Sequence, residues 1–148
     1  MKKQKITIII RLAIIIVVFL LTNSNLALAA TETIFASVGT GPSQVIFDSV
    51  GNIYTANSGN SGKTISKVTP SGTSTVFATL PASPSALAID SADNIYAVNG
   101  NSNLVMKINP SGIITTFATL PLGPNPMDLI FDDKGNLYVA SWITGGSY

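Results

Sequence analysis

Residues 42–57 read PSQVIFDSVGNIYTAN, residues 84–99 read PSALAIDSADNIYAVN, and residues 126–141 read PMDLIFDDKGNLYVAS. The three segments are copies of one pattern. Pro42, Pro84 and Pro126 follow one another at intervals of 42 residues. Asp48, Asp90 and Asp132 keep the same interval, as do Asn52, Asn94 and Asn136, and Tyr54, Tyr96 and Tyr138. A fixed period of this length is the sequence signature of a stacked repeat architecture.

A second block repeats beside the first. KVTPSGTSTVFATLP runs from Lys67 to Pro81, and KINPSGIITTFATLP from Lys107 to Pro121, an offset of 40 residues. The loop before the second copy is two residues shorter, and the loop after it two residues longer. The two changes cancel. Strands hold the repeat in register while loops absorb the variation.

Each unit reads as four short strands. In the first unit these are about Gln44–Phe47, Asn52–Ala56, Thr64–Val68 and Thr73–Ala78. Ser49-Val50-Gly51 closes the first pair, because glycine accepts the positive φ of a tight turn. Pro70-Ser71-Gly72 closes the last pair for the same reason. Runs such as Val-Ile-Phe and Leu-Tyr-Val-Ala are β-branched and aromatic. Their continuity, without strict alternation, fits strands buried on both faces. Beyond the N-terminal leader no stretch sustains helical spacing. An all-β fold follows. A β-sandwich gives no reason for the 42-residue self-similarity, whereas four strands in about 40–45 residues make a propeller blade.

The run Pro-x5-Asp-x2-Gly-Asn-Ile/Leu-Tyr-x-Ala, followed by Lys-Ile/Val-x-Pro-Ser-Gly, resembles the NHL-repeat β-propellers. It is also similar to the gluconolactonase/regucalcin group and to the streptogramin lyases. The resemblance spans Thr33 to Ser141. No Gly-His…Trp-Asp pairing occurs, so the WD40 group fits less well. The resemblance implies six or seven blades closing into a ring. We expect blades at about 42–80, 84–120 and 126–148, the last incomplete, and a lone outer strand at about 32–38. That strand is expected because Thr33-Ile34-Phe35-Ala36 matches Val76-Phe77-Ala78. About two and a half blades are therefore present. We expect the 148 residues to be the N-terminal part of a longer protein, the alternative being a half-propeller that assembles with its own copies.

Lys2, Lys3, Lys5 and Arg11 precede the apolar run Leu12–Leu21, and Ala27-Leu28-Ala29 ends the segment. A basic region, an apolar region and a small-x-small site make a signal peptide over residues 1–29. From Ile6 the apolar stretch is sixteen residues, interrupted by Thr7 and Arg11, which is short of the ~20 a spanning helix needs. The chain has no cysteine, so a lipid-modified bacterial anchor is excluded. An extracytoplasmic protein, secreted or periplasmic, is expected, with no membrane association after cleavage.

The segment 30–148 carries four lysines against seven acidic residues, a charge of −3. A basic footprint for nucleic acid is absent. Ser, Thr and Asn wet the surface in place of charge. With no His and no Cys in the sequence, a Ser-His-Asp triad, a Cys nucleophile and a zinc-thiolate site are excluded.

Asp48, Asp90 and Asp132 are expected to cap their own turns, with Asn52, Asn94 and Asn136 beside them. Tyr54, Tyr96 and Tyr138 are expected to pack between blades, and Trp142 to anchor packing. The resemblance directs attention to the residue after each repeat's proline, which faces the central channel. In the gluconolactonase group Asn or Asp stands there and holds a divalent cation. Here the positions are Ser43, Ser85 and Met127, with Asn125 and Asp128 close to the third. Serine is a poor ligand for a hard cation and methionine the wrong kind. A divalent cation is expected only if further blades supply ligands. The streptogramin lyases use a catalytic His, which this chain lacks. The other candidate surface is a ring face formed by Asn57, Asn60, Asn99, Asn101 and Asn103, whose amides suit neutral hydrogen bonds to a glycan or peptide.

Three functions are weighed. The leading one is a non-catalytic binding module for a protein, peptide or glycan. The alternatives are part of a metal-dependent lactonase-type hydrolase and part of a streptogramin-lyase-like enzyme. Self-association is expected if the chain is complete.

Overall fold

A computed structural model describes residues 7–10, 14–17, 32–121 and 124–143. Three short strands come first: β1 (Thr7–Ile10), β2 (Ile14–Val17) and β3 (Glu32–Thr33), in the order β1-β2-β3. The cleavage point after Ala29 lies outside the described residues.

The first full blade is β4 (Pro42–Phe47), β5 (Ile53–Asn57), β6 (Thr64–Val68) and β7 (Ser74–Thr79), antiparallel in chain order. The second is β8 (Ala86–Ile89), β9 (Ile95–Val98), β10 (Leu104–Ile108) and β11 (Ile114–Thr119). The third sheet is β12 (Pro124–Phe131) and β13 (Leu137–Ile143), paired with each other. The fold is all-β, a β-propeller built of four-stranded blades. The only departure among the described residues is one turn of 3-10 helix, Gly59–Ser61.

Each blade follows from its turns and its middle strands. Gly51, Gly72, Gly112 and Gly135 take φ between 81° and 88°, a region that side chains resist, and each reverses the chain. All five residues of β5 and all four of β9 are buried. These strands have a paired neighbour on each edge, and β9 contributes to an apolar layer on each face, which suits Ile-Tyr-Thr-Ala and Ile-Tyr-Ala-Val.

Two apolar layers hold the blades face to face. The first joins Tyr54, Ala56, Ile65 and Ala78 of one blade to Leu87, Ile95, Ala97 and Ile108 of the next. The second joins Ala86, Ala88, Tyr96, Val98 and Val105 to Leu129, with Phe131, Leu137 and Val139 against them. A fully buried side chain such as Ile65 or Leu87 stabilises the fold by about 1.5–3 kcal/mol. The same edge-to-face stack recurs in both full blades: Tyr54 on Phe77, and Tyr96 on Phe117, both with centroids 4.9 Å apart.

Bulges recur as well. The register shifts between Pro42 and Gln44 in β4 and between Pro126 and Asp128 in β12. It shifts again opposite Ile65 and Ser66 and opposite Val105 and Met106, where Phe77 of β7 and Phe117 of β11 are the extra residues. An extra residue sharpens the local twist and re-aims a side chain.

The expected outer strand at 32–38 takes a different form. Only Glu32–Thr33 is a strand, and it pairs with β2. Ile34 to Val38 pass without ladder pairing, because no blade precedes them among the described residues. Phe35 nevertheless occupies a repeat position. A Cβ placed on Gly72 would lie 2.7 Å from the Phe35 carbonyl oxygen, as one on Gly112 would lie 3.1 Å from that of Phe77.

Candidate functional site

The acidic repeat position is a turn clasp. Asp48 Oδ1 accepts from the backbone N–H of Val50 at 3.1 Å and of Asn52 at 2.7 Å. Its Oδ2 accepts from Asn52 Nδ2 at 2.6 Å and from the Tyr54 hydroxyl at 3.3 Å. Asp90 makes the same set with Ala92, Asn94 and Tyr96. Asp132 makes it with Lys134, Asn136 and Tyr138. Glycine or a residue tolerant of positive φ must follow the Asp by three positions for the loop to fold back on its carboxylate. Gly51, Asp93 and Gly135 meet that need.

These bonds set the electrostatics. Burial pushes the carboxyls of Asp48 and Asp90 up, but the four donors around each outweigh it and hold both below the ordinary range. At Asp132 the Asn136 side chain leads, and the carboxyl is again held low. Burial pushes the Tyr54 phenol up. Lys107 lies over the Tyr96 ring at 5.3 Å, and the Tyr96 hydroxyl holds its ammonium pKa up. The carboxylates thus stand in three separate turns, each satisfied by its own loop. Among the described residues, no three of His, Cys, Asp or Glu come together as a metal site.

The residue after the proline has a distinct backbone role. Ser43 and Met127 are the extra residues of the bulges in β4 and β12. Ser43 is exposed, and its hydroxyl donates to the Ala56 carbonyl at 3.4 Å. Met127 is 57% exposed. Ser85 is not free for a ligand. Its hydroxyl lies 3.1 Å from both the Val98 and the Pro126 carbonyl oxygens, tying the second blade to the third. Gln44 Oε1 accepts the Leu87 N–H in the same way between the first and second. Asn125 is half-buried, and Asp128 is exposed with Oδ1 accepting its neighbour Leu129 N–H at 2.9 Å. The structure brings Asn125, Met127 and Asp128 together on β12.

The five asparagines divide. Asn57 corrects the expectation of a ring-face loop residue. It is the last residue of β5 and fully buried. Its Nδ2 donates to Thr64 Oγ1 at 3.0 Å and Ser66 Oγ at 2.9 Å, and its Oδ1 accepts from Thr55 Oγ1 at 3.1 Å. It is a structural amide, satisfied by the hydroxyls of Thr55, Thr64 and Ser66 on its own and the next strand. Asn99 and Asn103 are half-buried. Asn99 Oδ1 accepts the Asn101 N–H at 2.9 Å, and Asn103 Nδ2 donates to the Leu120 carbonyl at 3.3 Å. Asn60 and Asn101 are exposed, and Asn60 takes φ of 51° at the head of its loop.

The repeat did not single out one feature. Asp93 replaces the turn glycine and reaches the preceding blade, with Oδ1 2.9 Å from Ser49 N and Oδ2 2.6 Å from Ser49 Oγ. At the next junction Ser91 and Gly135 hold the matching positions. There a cleft of about 530 Å³ opens, lined by Tyr96, Phe117, Phe131 and Leu137 and rimmed by Asp90, Asp132 and Asp133. The signal was the one departure from glycine in three aligned turns.

No protein-family model and no curated protein sequence matches the chain. Solved structures do. A streptogramin B lyase structure aligns with a TM-score of 0.64 at 18% identity, over 99% of this chain and 57% of that one. Virginiamycin B lyase from Staphylococcus aureus aligns at 0.59 and 21% identity, over 72% and 39%. The calcium-binding protein regucalcin from Agrobacterium tumefaciens aligns at 0.62 and 16% identity, over 77% and 44%. The chain spans about two fifths of the virginiamycin B lyase and regucalcin structures. At these identities the likeness fixes architecture, not chemistry. The chain has the β-propeller fold, with the blade construction found in the streptogramin lyase and regucalcin structures.

Proposed function

We propose that this chain is part of an exported propeller that binds a protein, peptide or glycan without transforming it. The exported location rests on the basic and apolar leader ending in Ala27-Leu28-Ala29. The binding role rests on one observation above the others. Each repeat carboxylate is engaged by four donors of its own turn, while the loops after β5 and β9 offer the exposed neutral amides of Asn60 and Asn101. Such rims recognise hydroxyl and amide groups through paired donors and acceptors. Low charge density around them suits a neutral ligand better than a phosphate or a nucleic acid.

The test is a glycan and peptide array probed with the protein lacking residues 1–29, beside an Asn60→Ala/Asn101→Ala double variant. Binding lost in the double variant at an unchanged melting temperature supports the rim. Binding that survives, or calcium-dependent lactone hydrolysis by the wild type, overturns it.

A further inference from the structure

The second strands of the two full blades end alike and are sealed differently. Asn57 closes β5, and Asn99 stands 42 residues on, at the corresponding place after β9. The Asn57 amide is caged. Its Oδ1 accepts from Thr55, its Nδ2 donates to Thr64 and Ser66, and the residue is 0% exposed. At the three matching places the second blade carries Ala97, Leu104 and Met106. None of these offers a hydroxyl. Asn99 is half-buried, and among the described residues no acceptor meets its Nδ2.

The residue that follows differs as well. Asn99-Gly100 is the one Asn-Gly pair in the sequence. A Cβ built on Gly100 would meet no heavy atom within 4 Å, so nothing crowds the peptide there. Among the described residues the Gly100 N–H donates to no acceptor. Asn99 Oδ1 accepts the Asn101 N–H at 2.9 Å. That bond spans the Gly100 peptide and draws electron density from Asn99 Cγ. An electrophilic carbon, an unbonded amide nitrogen one residue on and an unheld leaving group stand together.

We propose that Asn99 is a site of self-modification, at which the side-chain amide is lost and the loop after β9 becomes acidic. The Gly100 nitrogen gives its proton to solvent hydroxide and attacks Asn99 Cγ. The new N–Cγ bond closes a five-membered imide, the Cγ–Nδ2 bond breaks, and the amide nitrogen leaves as ammonia. Water then opens the ring at either carbonyl, giving aspartate or, with the main chain rerouted through the side chain, isoaspartate. Nothing is oxidised or reduced, and water is the only co-reactant. Asn57 is spared, because its cage and its strand must open first. The product places a new negative charge two residues from the exposed Asn101, in a segment that already carries four lysines against seven acidic residues. The inference goes beyond ligand binding at the rim and does not depend on it.

The experiment incubates the full chain at physiological temperature, at neutral and at mildly alkaline pH. Fragment-ion mass spectrometry and an isoaspartate assay follow each asparagine. Acid and isoaspartate should accumulate first at Asn99, faster at the higher pH, and about tenfold or more ahead of Asn57. Gly100→Ala fits the open space and should slow conversion about tenfold or more, since a side chain there hinders the attacking nitrogen. An Ala97→Thr/Leu104→Thr/Met106→Ser variant rebuilds the cage of the first blade and should slow conversion with the Asn-Gly pair intact. In denaturant, wild-type Asn57 should accelerate far more than Asn99. An Asn99 that stays intact in the folded chain overturns the proposal, as does conversion unchanged by Gly100→Ala. Conversion of Asn57 as fast as Asn99 in the folded chain also overturns it.

Discussion

Ser49 and Asp93 join the first two blades across 44 residues of sequence, with both carboxylate oxygens of Asp93 accepting from Ser49, at 2.9 Å from its N–H and 2.6 Å from its hydroxyl. Asp93 holds this post at φ of 59°, a conformation aspartate tolerates better than most residues. Its counterparts Gly51 and Gly135 meet the backbone demand without making the bridge.

Asp93→Ala removes the bridge and keeps the strained φ, so it should destabilise by about 1–2 kcal/mol. Asp93→Gly loses the bridge but relieves the backbone, and should cost less. Thermal melts of the two variants check the order. Equal melting temperatures would remove the backbone from the account.

Gly135→Val should destabilise by at least about 1 kcal/mol, because a β-branched residue resists the φ of 82° there. No heavy atom lies within 4 Å of its would-be Cβ, so the cost is conformational and not a clash. Gly135→Asp should cost less than Gly135→Val, since Asp93 already shows aspartate in that turn. Chemical denaturation of both variants is the measurement. A Val variant as stable as wild type would refute the turn.

The repeat aspartates make stability acid-sensitive. Their folded pKa values lie below the ordinary carboxylate value. The stabilisation they give is therefore present above the unfolded pKa and lost as pH falls through the folded one. Melting temperature should hold down to about pH 5 and decline below about pH 4. Asp90→Asn sets an amide against the Asn94 amide and should cost about 1–3 kcal/mol at pH 7. The gap to wild type should narrow at pH 3. A gap independent of pH would show that the ionised carboxylate is not what the turn uses.

Leu87→Ala should destabilise by about 2–5 kcal/mol. Leu87 is 1% exposed and lies in the apolar layer between the first and second blades. Equilibrium unfolding would measure it. A loss under 1 kcal/mol would mean the layer collapses around the hole.

The strands and turns were legible because each rests on local chemistry. Positive-φ glycines, β-branched runs and the Pro-Ser-Gly turn need no distant partner to be recognised. The capping of each turn by its aspartate was legible for the same reason, since Asp48, Val50 and Asn52 lie within four residues of one another, while the bond from the Tyr54 hydroxyl to Asp48 was not read from the spacing. What escaped depends on contacts between blades. Nothing local says that Asn57 is sealed beneath Thr64 and Ser66, or that Ser85 reaches Pro126. Nor does the spacing show that Asp93 crosses to Ser49, although its departure from glycine marked the position. Of the stretch 32–38 only Glu32–Thr33 forms a ladder among the described residues, because a repeat position without its neighbours has nothing to pair with.

The contact of the Phe35 carbonyl with Gly72, repeated by Phe77 with Gly112, gives the molecule a direction of growth. Each blade's final turn is moulded on the outer segment of the element made before it. A polypeptide leaving the ribosome amino end first always has that mould in place when the next turn is synthesised. Folding can then advance one unit at a time, each new piece needing only the last. A circularly permuted chain beginning at residue 60 would have to build its first turn with nothing to seat it.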